Sequence, residues 1–112
     1  MEIIYNQSKK CLILRLMGEL DDHKAEKIRQ MLKKYFLKHP SSSLIINLQK
    51  LKFMDSAGVG LILGRYNEVR ERGRNVYLCG LNPQIKRVLE LSGLLKHIAV
   101  FDSENEALSQ EE

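Results

Sequence analysis

Between residues 44 and 79 the apolar pattern changes period twice, and that change restricts the fold more than any other feature of the chain. Leu44-Ile45-Ile46-Asn47-Leu48 is a short, nearly continuous apolar run of the kind a buried strand presents. From about Ser56 to Arg72 the pattern is helical and stops near Gly73, after which Asn75-Val76-Tyr77-Leu78-Cys79 returns to a strand. Strand, helix and strand in that order make a crossover unit, with parallel strands and a helix laid on the sheet.

The flanking segments extend this unit. Residues 2–6 and 10–17 read as strands, and Gln7-Ser8-Lys9 is short enough to join them as an antiparallel hairpin. Gly18-Glu19-Leu20-Asp21 then breaks the pattern, and Asp21 or Asp22 caps a helix with apolar positions at Ala25, Ile28, Leu32, Tyr35 and Phe36. That helix ends before His39-Pro40. Asn82-Pro83 opens a third helix with Ile85, Val88 and Leu89 on its inner face and Gly93 at its end. His97 to Phe101 is a last strand, and Ser103 with Glu106 forms a capping box for a short helix. The order ββαβαβαβα predicts an α/β fold: one domain over residues 1–112, with a mixed, mostly parallel sheet covered by about four helices.

Composition removes several function classes. At 44% apolar and 29% charged residues the chain has a globular balance. Cys11 and Cys79 sit alone in apolar runs, outside any metal-binding spacing, and read as reduced core thiols, which suits the cytoplasm. The start of the chain has neither a basic nor a long apolar segment, and no run approaches membrane-spanning length. The net charge of +4 invites a polyanion, but the cations are interleaved with Glu26, Glu68 and Glu71 as on solvated helix faces. No stacking aromatics accompany them, so nucleic acid is not the expected partner.

Two motifs remain. Gly58, Gly60 and Gly64 form a loose G-x-G-x-x-x-G, but they follow the third strand and no acidic residue ends the next one. The simpler reading is close packing of a helix on the sheet. Ser56 begins that helix after Asp55, and as a nucleophile it would need a base, yet His23, His39 and His97 lie elsewhere in the sequence. Ser56 is either an ordinary helix cap or a modification site. Helix-start amides and the helix dipole would favour a phosphate there.

The stretch Phe53-Met54-Asp55-Ser56-Ala57-Gly58-Val59-Gly60, continuing into Ile62-Leu63-Gly64-Arg65-Tyr66, resembles the phosphorylation segment of STAS-domain anti-sigma factor antagonists, and most resembles the sporulation branch acting on sigma F. Gly18-Glu19-Leu20-Asp21, Asn47-Leu48 and Leu91 to Lys96 agree with the same family, in register along nearly the whole chain. The resemblance implies a non-enzymatic partner-switching protein without a cofactor. Its unphosphorylated form would bind a nucleotide-bound anti-sigma factor serine kinase and free the sigma factor. Phosphorylation of Ser56 would part the complex, and a PP2C-type phosphatase would reverse the step. Asp55, Ser56, Ala57, Gly58, Glu19 and Asp21 would meet the partner. Ala57 stands where many sporulation members carry a second serine, which leaves Ser56 as the motif's one hydroxyl. The rival expectation is a non-switching scaffold or small-ligand binder in which Ser56 only caps a helix.

Overall fold

The computed structural model describes residues 1–111. The chain runs β1 (Glu2–Asn6), β2 (Cys11–Leu20), α1 (Asp22–Lys38), β3 (Ser43–Met54), α2 (Ser56–Glu71), β4 (Val76–Cys79), α3 (Pro83–Ser92), β5 (Ala99–Phe101) and α4 (Glu104–Leu108), with one 3₁₀ turn at Leu94–Lys96. This is the predicted ββαβαβαβα order. The five strands lie in the sheet in sequence order, antiparallel between β1 and β2 and parallel from β2 to β5.

Sequential order has a consequence for the layers. Right-handed crossovers that all step in one direction put α1, α2 and α3 on the same face of the sheet. That face carries the main core, where Leu12, Leu14, Leu44, Ile46 and Leu78 of the strands meet Leu32, Ile62 and Leu89 of the helices. The opposite face holds a smaller cluster of Cys11, Ile13, Ile45, Tyr77 and Cys79, covered by α4 through Ala107. Two side-chain ties fix α4 there: Glu104 receives two hydrogen bonds from Arg15, at 2.7 and 2.8 Å, and one from Asn47 at 2.6 Å.

Three boundaries differ from the sequence reading. β2 continues past Met17 through Gly18, Glu19 and Leu20, and β3 continues past Leu48 to Met54, each extension pairing with the other. Register shifts between Arg15 and Met17 and between Gly18 and Glu19 put extra residues into β3. Its buried positions Leu48, Leu51 and Met54 are therefore spaced by three, and the period of two that marks a strand is lost. Gly18, at φ +75°, takes a left-handed conformation that a side chain would resist. Conversely, β5 is shorter than predicted, because His97 and Ile98 complete the turn that follows α3. At α4, Ser103 accepts the Glu106 amide at 3.2 Å, whereas the Glu106 carboxylate takes the amide of Asp102, one residue earlier than a capping box requires.

Candidate functional site

The extended ends of β2 and β3 build the site. Glu19 lies opposite Phe53 and Leu20 opposite Met54, so the two strands end together. Each then turns into a helix through an aspartate. Asp21 accepts the Lys24 amide at 2.9 Å, which settles the cap of α1 in favour of Asp21 over Asp22. The hydrogen bond from that amide, helped by the charge of Lys24, holds the Asp21 carboxyl below the usual carboxylate range. Asp55 Oδ1 accepts the amides of Ala57 at 2.9 Å and Gly58 at 3.3 Å.

Asp55, and not Ser56, is therefore the cap of α2. Ser56 occupies the first helical position, exposed, and its hydroxyl makes no hydrogen bond among the described residues. The expectation that open amides would cradle a phosphate also changes. The Asp55 carboxylate already takes two first-turn amides and lends the helix start a negative charge, so those two amides are not open to another anion.

Gly58 explains how the helix comes so near. A Cβ there would collide with the side chains of Met54 and Leu20, so only glycine lets the first turn of α2 rest on the two strand ends. Gly60 and Gly64 have open space instead, which removes the shared packing role expected of the three glycines. Gly58 is buried and Ala57 half-buried, while Glu19 and Ser56 are exposed. Glu19 belongs to a strand rather than to a loop.

Two residues beside the site escaped the sequence reading. Phe53 is 51% exposed next to Glu19, and Met17 is 42% exposed one turn of the pleat earlier. Met17 and Glu19 border an open cleft of about 280 Å³ with Leu16, Leu20, Ile28 and Leu51; Phe53 lies outside its lining. Phe53 stood inside the recognised stretch, but only the bulged pairing of β3 turns it outward.

None of the three histidines forms a hydrogen bond with Ser56 among the described residues. His39 stacks on Tyr5 with ring centroids 3.7 Å apart at the far end of α1, His97 follows the 3₁₀ turn, and His23 lies exposed on α1. Among the described residues no group of acidic, histidine or cysteine side chains is arranged to hold a metal ion, and no helix is long and apolar enough to cross a membrane. Both cysteines are buried and free.

Residues 2–107 match the STAS domain family. An anti-sigma F factor antagonist of Paenibacillus polymyxa is 35% identical over 110 residues, covering 98% of this chain and 94% of that protein. The anti-sigma F factor antagonist of Lysinibacillus sphaericus is 37% identical over 87 residues, covering 78% and 74%. Among solved structures, the anti-sigma factor antagonist SpoIIAA in its unphosphorylated form superposes with a TM-score of 0.78 at 29% identity, covering 97% of this chain and 94% of that one. The Bacillus cell fate determinant SpoIIAA in its phosphorylated form gives 0.76 at 31% identity, covering 97% and 96%. With the fold and these relatives in agreement, the chain belongs to the STAS-domain family of anti-sigma factor antagonists.

Proposed function

We propose that this chain works as a partner switch. Unphosphorylated, it binds a nucleotide-bound anti-sigma factor that is also a serine kinase, and so releases a sigma factor. The kinase phosphorylates Ser56, the complex parts, and a PP2C-type phosphatase restores the starting form. The protein itself is not an enzyme, takes no cofactor, does not bind nucleic acid and acts in the cytoplasm.

The observation that carries this reading is the exposed hydroxyl of Ser56, unbonded among the described residues, on a helix start held by a separate cap. A serine needed for structure would use its hydroxyl, whereas this one is free for transfer. Glu19 and Phe53, paired across the strand ends just before the two helices, offer a charged and an apolar contact, and Asp21 and Asp55 hold the two helix starts in place. Adding a phosphate places about −1.5 to −2 charges beside the Asp55 carboxylate at the centre of that surface. Shifting a complex from mostly bound to mostly free takes about 5.5 kcal/mol of differential affinity, within reach of an unpaired charge buried at an interface. No rearrangement of the fold is needed. That SpoIIAA has been solved in both phosphorylated and unphosphorylated forms lends support.

The test is the intact mass of the protein after incubation with ATP and its cognate kinase, with Ser56→Ala in parallel. One added phosphate on the native chain and none on the variant supports the switch. An unmodified native chain beside an active kinase counts against it.

A further inference from the structure

A groove of about 280 Å³ runs between α1 and α2, away from the strand ends. Four cations line it, Arg29, Lys33, Arg65 and Arg72, against the single carboxylate of Glu68. Two of the four are paired within the chain, one of them loosely. Arg29 is held by Glu26, but Arg65 reaches Glu68 only at 3.7 Å and its buried Nε has no hydrogen-bond partner among the described residues. Lys33 and Arg72 form no ion pair among the described residues, and Arg72 lies over the Phe36 ring at 5.5 Å. Leu37 of the same groove is 75% exposed.

Arg29 and Arg65 also border a second hollow of about 250 Å³ that reaches Ala57, Gly60 and Leu61, and there Asp22 and Glu26 offset them, so the excess of positive charge belongs to the first groove. The cations of the first groove extend along α2 from Arg65 to Arg72, about 10 Å at 1.5 Å per residue. A small anion needs donors converging on one point, and here they are strung along a line. A nucleic acid strand needs exposed rings for its bases, and the one ring in the groove, Phe36, is buried under Arg72. A line of cations with one exposed leucine is the complement of an extended or helical protein segment bearing carboxylates and an apolar anchor.

We infer that the α1–α2 groove docks an acidic segment of a protein partner, with its carboxylates on Lys33, Arg65 and Arg72 and an apolar side chain against Leu37. This contact is independent of the chemistry at Ser56. It remains available whether or not Ser56 carries a phosphate.

The probe is a fluorescein-labelled, glutamate-rich peptide with one leucine, titrated with the full chain and followed by fluorescence anisotropy. Binding should weaken with salt, and Lys33→Glu with Arg72→Glu should lower affinity by about tenfold or more. Leu37→Ser, at an exposed position outside the core, should lower it a few-fold, and Lys33→Glu alone should act in the same direction if the paired variant is unstable. Lys86→Glu with Arg87→Glu, on the exposed side of α3, is the control for net charge and should leave binding unchanged. Three results overturn the inference: no binding to the native chain, equal weakening by the α3 variants, or displacement by inorganic phosphate more readily than by unlabelled peptide.

Discussion

The amide of Asp55 donates to the carbonyl of Leu20 at 3.4 Å, across the ends of two neighbouring parallel strands. Through this contact the start of α2 is tied to the turn that leads into α1. Residues more than thirty positions apart thereby share one end of the sheet, with Asp21 and Glu19 on one side and Asp55 and Ser56 on the other. The position of Ser56 is thus a property of the β2–β3 pairing as much as of its own helix.

The two roles given to Asp55 can be separated. Asn caps a helix about as well as Asp, so Asp55→Asn should stay within about 0.5 kcal/mol of the native stability, whereas Asp55→Ala should lose about 1 kcal/mol. Urea denaturation measures both. If the carboxylate also matters to the partner, Asp55→Asn should weaken kinase binding without that loss of stability.

Ser56→Ala should fold as the native chain does, because the hydroxyl makes no hydrogen bond among the described residues. With ATP present it should remain on the kinase when the native chain is released. Ser56→Asp should bind weakly. Gel filtration of each with the kinase decides, and tight binding by Ser56→Asp would mean that charge at this position is not the switch.

Glycines 58 and 60 should respond in opposite ways to alanine. A methyl at Gly58 meets Met54 and Leu20 and should cost about 1–3 kcal/mol by overpacking. At Gly60, with open space around it, the same change should raise stability by up to about 1 kcal/mol through helix propensity. Paired urea melts give both signs in one experiment.

Acid should weaken the fold through Glu111. Its side chain is 3% exposed, and it accepts from Tyr77, from Arg74 at 2.9 Å and from Asn75 at 3.2 Å. Burial pushes the carboxyl up, and the hydrogen bonds from Ser43, Tyr77, Arg74 and Asn75 outweigh it, so it titrates below its ordinary value of 4.5. A depressed pKa in the folded state means stability that is complete above the unfolded value and drains away as the pH falls through the folded one. Tm should therefore drop below about pH 4.5, and Glu111→Gln should lower Tm at neutral pH while flattening that drop. Glu104, held low first by its hydrogen bond from Arg15, adds a second contribution of the same sign.

The cysteines should be silent until the chain unfolds. Burial pushes the Cys11 thiol up to about 12 and the Cys79 thiol up to about 11. The thiolate is the reactive form, so at pH 8 a thiol reagent should label the native chain slowly and both sites promptly in denaturant. Rapid labelling of the native chain would show that the small second core opens readily.

Much of this protein is written locally. The order of strands and helices, the caps at Asn82 and Ser103, the αL end at Gly93 and the buried faces of α1 and α3 follow from spacing and capping within a few residues. Such signals depend only on neighbours along the chain. The stretch around Ser56 was legible as a helix start for the same reason, and its resemblance to a phosphorylation segment was legible in residue identities alone.

The rest required the sheet. Whether Asp55 or Ser56 caps α2 depends on backbone angles that β3 imposes, and the sequence permits either. The ends of β2 and β3 were hidden because bulges move the buried positions of β3 to a spacing of three, a pattern with meaning only beside the partner strand. The exposure of Phe53 and Met17, the close fit of Gly58, and the line of cations between α1 and α2 arise between segments that are distant along the chain. Sequence determines which elements form because their hydrogen bonds and caps close locally; tertiary structure determines which side chains meet because long-range packing sets that geometry.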